Sequence, residues 1–186
     1  MKDKIIDAAK KRFFQYGLRK VTMDEIAADL AVSKKTLYKH FDGKEALAEG
    51  VIRAFQSEMA ELVERTKREV PDPIERFERC VVEASRKRSE INNIFLSDIK
   101  RDMPKLWGEI ESFREECIVS HMGHILQEGI EKGKIRRDIN TKIATSLYLG
   151  AIQAIMQPDV LAKNEFSANE AFENISKIFL EGVKAK

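Results

Sequence analysis

Two helix starts stand only eleven residues apart in this chain, at Thr22 and Ser33, and that spacing restricts what residues 22–41 can become. Thr22 followed by Glu25 has the form of a capping box: the hydroxyl takes a backbone N–H of the new turn while the carboxylate reaches back. The helix it opens is predicted to end near Leu30, since Ala31-Val32-Ser33 can form a tight turn and Ser33 can cap a third helix running to about Phe41. Two short helices joined by a three-residue turn must cross at a large angle. Such a crossing needs a small residue where the helices touch, here Ala27, and apolar residues inside, here Ile26, Leu30, Val32 and Leu37. This is the helix-turn-helix pattern, whose second helix lies in the DNA major groove. Its outer face reads Lys34, Lys35, Tyr38, Lys39 and His40, donors suited to phosphate oxygens and guanine edges. At ~1.5 Å per residue the segment is about 12 Å long, enough to span a few base pairs. A plainer reading stays open beside it, because lysines on short capped helices often do no more than meet solvent.

Helical periodicity extends over the rest of the chain, and no run of alternating residues calls for a sheet. A first helix is predicted from about Lys2 to Tyr16, with Ile5, Ile6, Ala9 and Phe13 on one face and Gly17 as its stop. Asp42 and Glu45 repeat the capping-box spacing and open a long fourth helix that turns Leu47, Val51, Phe55, Met59 and Leu62 inward. Pro71-Asp72-Pro73 breaks the chain and restarts it with Asp72 as cap. Asp102 and Pro104 are expected to start a helix reaching about Lys132, closed by Gly133. Asn140 or Thr141 begins another that ends by Pro158, and Ser167 with Glu170 caps the last. The expectation is an all-α fold of about nine helices. A three-helix headpiece at residues 1–47 would carry the helix-turn-helix, and residues 48–186 would form a helical body for effector binding and dimerisation.

Charge distribution agrees with a polyanion partner at the N-terminal end. Residues 1–50 hold eleven Lys/Arg against eight Asp/Glu, whereas residues 51–186 hold twenty-two against twenty-three. Apolar residues make up 43% of the 186, sufficient for a core. Cys80 and Cys117 make neither a disulfide framework nor a zinc motif. The N-terminus lacks the apolar stretch of a signal peptide, and the most apolar segment, residues 144–156, falls far short of the ~20 residues that cross a bilayer. A soluble, cytoplasmic protein without membrane contact is expected. No nucleophile elbow, Gly-rich phosphate loop or HExxH helix is present, so neither an enzyme nor a cofactor is called for.

The stretch Thr22-Met-Asp-Glu-Ile-Ala-Ala-Asp-Leu-Ala-Val-Ser-Lys-Lys-Thr-Leu-Tyr-Lys-His-Phe-Asp-Gly-Lys-Glu-Ala-Leu47 resembles the DNA-binding headpiece of the tetracycline-repressor (TetR) family. Ala8, Ala9, Phe13 and Gly17 also stand where that family places them. One departure is Ala31, in a turn where the family usually has glycine; a positive φ there would cost alanine roughly 1 kcal/mol. The resemblance implies that Lys34, Lys35 and Lys39 face base edges or nearby phosphates. Thr36, Tyr38 and His40 would contact backbone or bases, with Ser33 at the helix start. Thr22 and Lys44 would clamp phosphates at the N-termini of the second and fourth helices. Leu37 and Phe41 would be buried. Two half-sites on a double-stranded operator would require a homodimer.

In the body, the resemblance implies that the last two helices pair with their mates in a four-helix bundle. Candidate interface residues are Ile143, Leu147, Gly150, Ala151, Ala154 and Ile155 on one helix and Phe172, Ile175 and Phe179 on the other. Ile178 shares the apolar stripe of that last helix. The middle helices would enclose a pocket lined by Phe77, Phe95, Trp107, Phe113, Cys117, His121 and Met122, which suits a largely apolar effector. Cys117, His121 and His124 share one helix face, but their ends are about 10 Å apart along the axis, so a metal ion would take two of them with a ligand from elsewhere in the chain, and the sequence leaves that open. The expected function is a ligand-responsive repressor released from its operator by a small molecule. The alternative is a helical protein-interaction module without affinity for nucleic acid.

Overall fold

The computed structural model describes residues 1–164 and 166–185. Its ten helices are α1 (Lys2–Tyr16), α2 (Met23–Asp29), α3 (Lys34–Tyr38), α4 (Lys44–Glu69), α5 (Pro73–Ser89), α6 (Asn93–Asp102), α7 (Pro104–Glu131), α8 (Thr141–Ile155), α9 (Pro158–Lys163) and α10 (Ala168–Val183). Extended backbone pairs at one isolated bridge, Ile135 with Lys184. The class is all-α. Packing divides the chain into two compact units, Met1–Glu58 with Glu90–Ile110, and Met59–Ser89 with Glu111–Lys186. The unit that holds α2 and α3 therefore also takes the first part of α4 and a much later helix, α6.

Aromatic stacking accounts for that late addition. Phe95 of α6 lies parallel to Phe13 of α1 at 5.7 Å and tilts against Phe14 at 5.5 Å, while Phe14 meets Phe55 edge-on at 5.9 Å. Gly17 ends α1 with φ +86° and ψ 169°, a conformation open in practice only to glycine. A Cβ there would come within 2.7 Å of Ile94 Cγ2 and 3.0 Å of Asp98 Oδ2, so the glycine also admits α6. Asp98 is buried, accepting from the Arg19 backbone N–H at 3.1 Å and from Arg101 at 2.7 Å.

Several boundaries differ from the sequence expectation, each for a local reason. The α3 helix stops at Tyr38 rather than near Phe41, because the next turn tightens: the N–H groups of His40 and Phe41 both donate to Leu37 O. At the start of α4 the first backbone bond runs from Leu47 N to Gly43 O, one residue beyond where an Asp42 cap would begin it. Asp102 does not cap α7 either. Arg19 and Arg101 take its carboxylate, at 2.8 and 3.0 Å, and hold it well below the usual carboxylate range. The start of α6 went unannounced, although Asn92 caps it by accepting from Ile94 N at 2.9 Å.

Elsewhere the local chemistry is as expected. Thr22–Glu25 and Ser167–Glu170 close as full capping boxes. Asp72 accepts from Ile74 N and Glu75 N at the start of α5, and Gly133 follows α7 with φ +68°. Ala31 takes φ +51°, the one positive-φ residue other than glycine among the described residues. It is exposed, so no packing compensates for the left-handed backbone. Ala31→Gly relieves that strain and loses a little to greater freedom of the unfolded chain. Urea unfolding should show the variant more stable by about 0.5–1 kcal/mol; a less stable variant would mean that the turn does not hold this backbone.

The second unit centres on three rings: Tyr148 tilts against Phe179 at 4.9 Å, and Phe77 packs on both. The Tyr148 hydroxyl reaches Ser176 Oγ at 2.8 Å, which satisfies two buried polar groups at once. Arg76 is buried and pins α5 to α7, donating to Val70 O at 2.9 Å and to Glu128 at 2.8 Å.

Candidate nucleic-acid interface

The helix-turn-helix is held from beneath. Ile26 and Leu37 are wholly buried, Ala27, Val21 and Phe41 nearly so, and Val32 N–H donates to Ala27 O at 3.0 Å across the turn. Arg12 of α1 clasps Asp29 at the end of α2 through two bonds, at 2.5 and 2.7 Å, and stands 3.5 Å from Glu25. This fork fixes α2 on α1, and α3 is set by its inward Leu37. Its remaining side chains then have only one direction left.

Lys35, Tyr38, Lys39 and His40 are exposed, and Tyr38 keeps 46% of its surface. Ser33 Oγ accepts from Thr36 N at 3.2 Å and lies 2.9 Å from Thr36 Oγ1, which commits both hydroxyls to starting α3. Thr22 is committed too: its hydroxyl accepts from Glu25 N at 3.3 Å and donates to Glu25 Oε2 at 2.9 Å. The Thr22 backbone N–H and hydroxyl, both donating to Glu25 Oε2, keep that carboxyl below its ordinary range.

Two of the expected lysines have partners within the protein. Lys34 Nζ lies 2.9 Å from Asp24 on α2, which raises its pKa, and both side chains are largely exposed. Lys44 donates to Val21 O at 3.1 Å and so ties the start of α4 to the segment leading into α2. The side chains left open on this face are Lys35, Tyr38, Lys39 and His40. An exposed pair such as Lys34–Asp24 yields readily to a stronger anion.

The residues expected to line one effector pocket fall into two cores. Phe95 and Trp107 are buried in the first unit with Phe13, Leu96 and Leu106; Phe77 and Met122 are buried in the second with Ile125, Tyr148 and Phe179. Phe113, Cys117 and His121 are part-buried in the second unit. Burial lowers the His121 pKa to about 4, helped by the positive charge of Arg76, so this imidazole is neutral near pH 7. Burial also pushes the Cys117 thiol up. Among the described residues no three His, Cys, Asp or Glu side chains gather into a metal site, Cys117, His121 and His124 included.

The expected pairing surface is better assembled. Ile143 and Leu147 are 69% exposed on α8, and Gly150 and Ala154 continue that face as small exposed residues. Ala151, Ile155, Phe172 and Ile175 are part-buried beside it. Phe179 is a correction, since it is buried in the ring cluster of its own chain and has little surface left for a partner. Ile178, its neighbour on α10, is 73% exposed. The signal was present in the sequence: apolar residues at 171, 172, 175, 178 and 179 cover more of α10 than a single core-facing stripe requires.

The chain is also similar to known proteins. Residues 5–51 match the model of bacterial regulatory proteins of the tetR family. The chain is 27% identical over 186 residues to the uncharacterized HTH-type transcriptional regulator YvaF of Bacillus subtilis, spanning 98% of this chain and 96% of that one. It is 24% identical to the HTH-type transcriptional regulator RutR of Escherichia coli K12, over all of this chain and 91% of the other. A transcriptional regulator from Cytophaga hutchinsonii superimposes with a TM-score of 0.79 at 26% identity, over 98% of both chains. No helix among the described residues is long and apolar enough to cross a membrane. The headpiece match lies on the helices that project Lys35, Tyr38, Lys39 and His40, so residues 5–51 form a DNA-binding headpiece like that of the tetR-family regulators, and the chain as a whole is similar to HTH-type transcriptional regulators.

Proposed function

We propose that the protein is a dimeric repressor that leaves its operator when the second unit binds a small molecule, and we assign it no enzymatic activity. The observation that carries the DNA-binding part is the exposed cationic side of α3, whose opposite side is anchored by a fully buried Leu37. Each copy of α3 is too short to read more than a few base pairs, so specificity requires two copies on two half-sites. The exposed apolar face of α8 and α10 supports the pairing, because residues such as Ile143, Leu147 and Ile178 gain most by covering one another around a twofold axis. An effector would act by binding more tightly to the state whose two headpieces no longer match the operator spacing. The chain passes between the units within α4, between Ser89 and Glu90, and within α7, so two of the three crossings are continuous helices through which such a change could be carried.

The test is a mobility-shift titration on the DNA upstream of the protein's own gene, with random DNA of equal length as competitor. Specific binding should be at least about a thousand-fold tighter than binding to the competitor, with affinity falling steeply as salt rises. Equal affinity for both DNAs would favour a protein-interaction module instead.

A further inference from the structure

The second unit contains a polar strip that the folding of the chain does not account for. Arg114, Cys117 and His121 are spaced three and four residues apart on α7 and share one face over about 10 Å. Arg114 Nη1 and His121 Nε2 are both enclosed without a hydrogen-bond partner in the protein. The Oδ1 atom of Asn169, in the first turn of α10, is in the same condition. Enclosed polar atoms are nearly always paired, and leaving one unpaired is costly, most of all on a charged group. Three such atoms in one unit therefore point to a partner from outside the chain.

Helix register sets Asn169 toward the end of the unit that holds Arg88. Helices α5 and α10 run antiparallel, with Lys184 beside Glu78 at one end and Ser85 bonded to Glu173 further along. One more turn in each direction reaches Arg88 and Asn169. Gln157, the residue that caps α9 just ahead of α10, donates to Glu111 at 2.9 Å, and Arg114 follows one turn later on α7. Arg88 and Arg114 are close enough for their charges to repel. Burial lowers the Arg88 pKa to about 10, and the charge of Arg114 adds to the effect. The carboxylate that bears on Arg114 is Glu111, which opposes the effect of burial while itself accepting from Gln157.

We infer that this end of the second unit binds the anionic head of its effector, a carboxylate or phosphate held by Arg114, with the rest of the molecule lying along α7 toward His121. The inference rests on the reading of the second unit as an effector domain and replaces a largely apolar effector with an anionic one. A guanidinium forks onto either head group through two parallel N–H···O bonds. Neutral His121 can donate or accept through Nε2, which suits a polar group about two helical turns away. Without its anion, Arg114 is a part-buried charge with an enclosed, unpaired Nη1, which weakens the fold.

Thermal unfolding of the full chain tests this with four probes: octanoate, octyl phosphate, inorganic phosphate and octan-1-ol. At least one anion should raise Tm by roughly 3 °C or more above the effect of the alcohol. The order of octanoate and octyl phosphate identifies the head group, and a full effect from inorganic phosphate shows that the head alone suffices. Arg114→Met should melt higher than the wild type when both are ligand-free, and should lose the response to anions. The inference is overturned if the alcohol matches the anions, if no anion acts, or if Arg114→Met melts lower. Operator affinity measured with the same probes separates the two readings. Anion-specific stabilisation with the operator still held keeps the site and removes the effector role, whereas release by a compound indifferent to Arg114 does the reverse.

Discussion

Replacing Lys34 and Lys35 together by alanine should lower operator affinity by about a thousand-fold or more while leaving the melting temperature almost unchanged. Both side chains are exposed, and neither supports the core beneath Leu37. A dimer loses four cations at once, each able to meet a phosphate or a guanine edge. The two positions are not equivalent. Lys34 must first leave Asp24, and that carboxylate then remains near the DNA, whereas Lys35 has no such partner to give up. Lys35→Ala alone should therefore cost more affinity than Lys34→Ala alone. The salt dependence reports the same change, because its log–log slope should become shallower by about 0.9 for each phosphate that the variant no longer neutralises. Retained operator affinity in a folded double variant would remove α3 from the groove.

The second large effect is expected from Leu147→Asp. Leu147 is 69% exposed on α8 between Ile143 and the small residues Gly150 and Ala154, and it contributes little to its own chain's core. A carboxylate there leaves the isolated chain nearly as stable as before. At a twofold interface, however, the substitution enters twice, and each copy would have to be stripped of water against an apolar surface. Sedimentation should show monomers at concentrations where the wild type is dimeric. Operator affinity should fall about 100-fold or more, since the second half-site is no longer engaged at high effective concentration. A dimer that survives the substitution would place the pairing surface elsewhere.

Much of the headpiece was legible because its signals are local. The Thr22 and Ser33 caps, the turn between them and the burial of Leu37 and Phe41 depend on neighbours within a few residues. The body was less legible. Nothing near Phe95 or Trp107 announces that they pack with Phe13 rather than with Phe77, since an aromatic at helical spacing looks the same in either core. Likewise Phe179 and Ile178 are adjacent apolar residues on α10, and a rotation of about 100° around the helix decides which one is buried.

The sequence by itself determined the helix starts at Thr22, Ser33, Asp72, Asn140 and Ser167 and which residues of α3 can carry positive charge, because caps, turns and periodicity act over four or five residues. Tertiary structure alone decided which charges are engaged inside the protein. Lys34 meets Asp24 ten positions away, Lys44 reaches Val21, and the Arg114 terminal nitrogen is enclosed with nothing to accept it. Those outcomes depend on how helices distant in the chain come together, and a pattern along one helix contains no record of what its neighbours place opposite it.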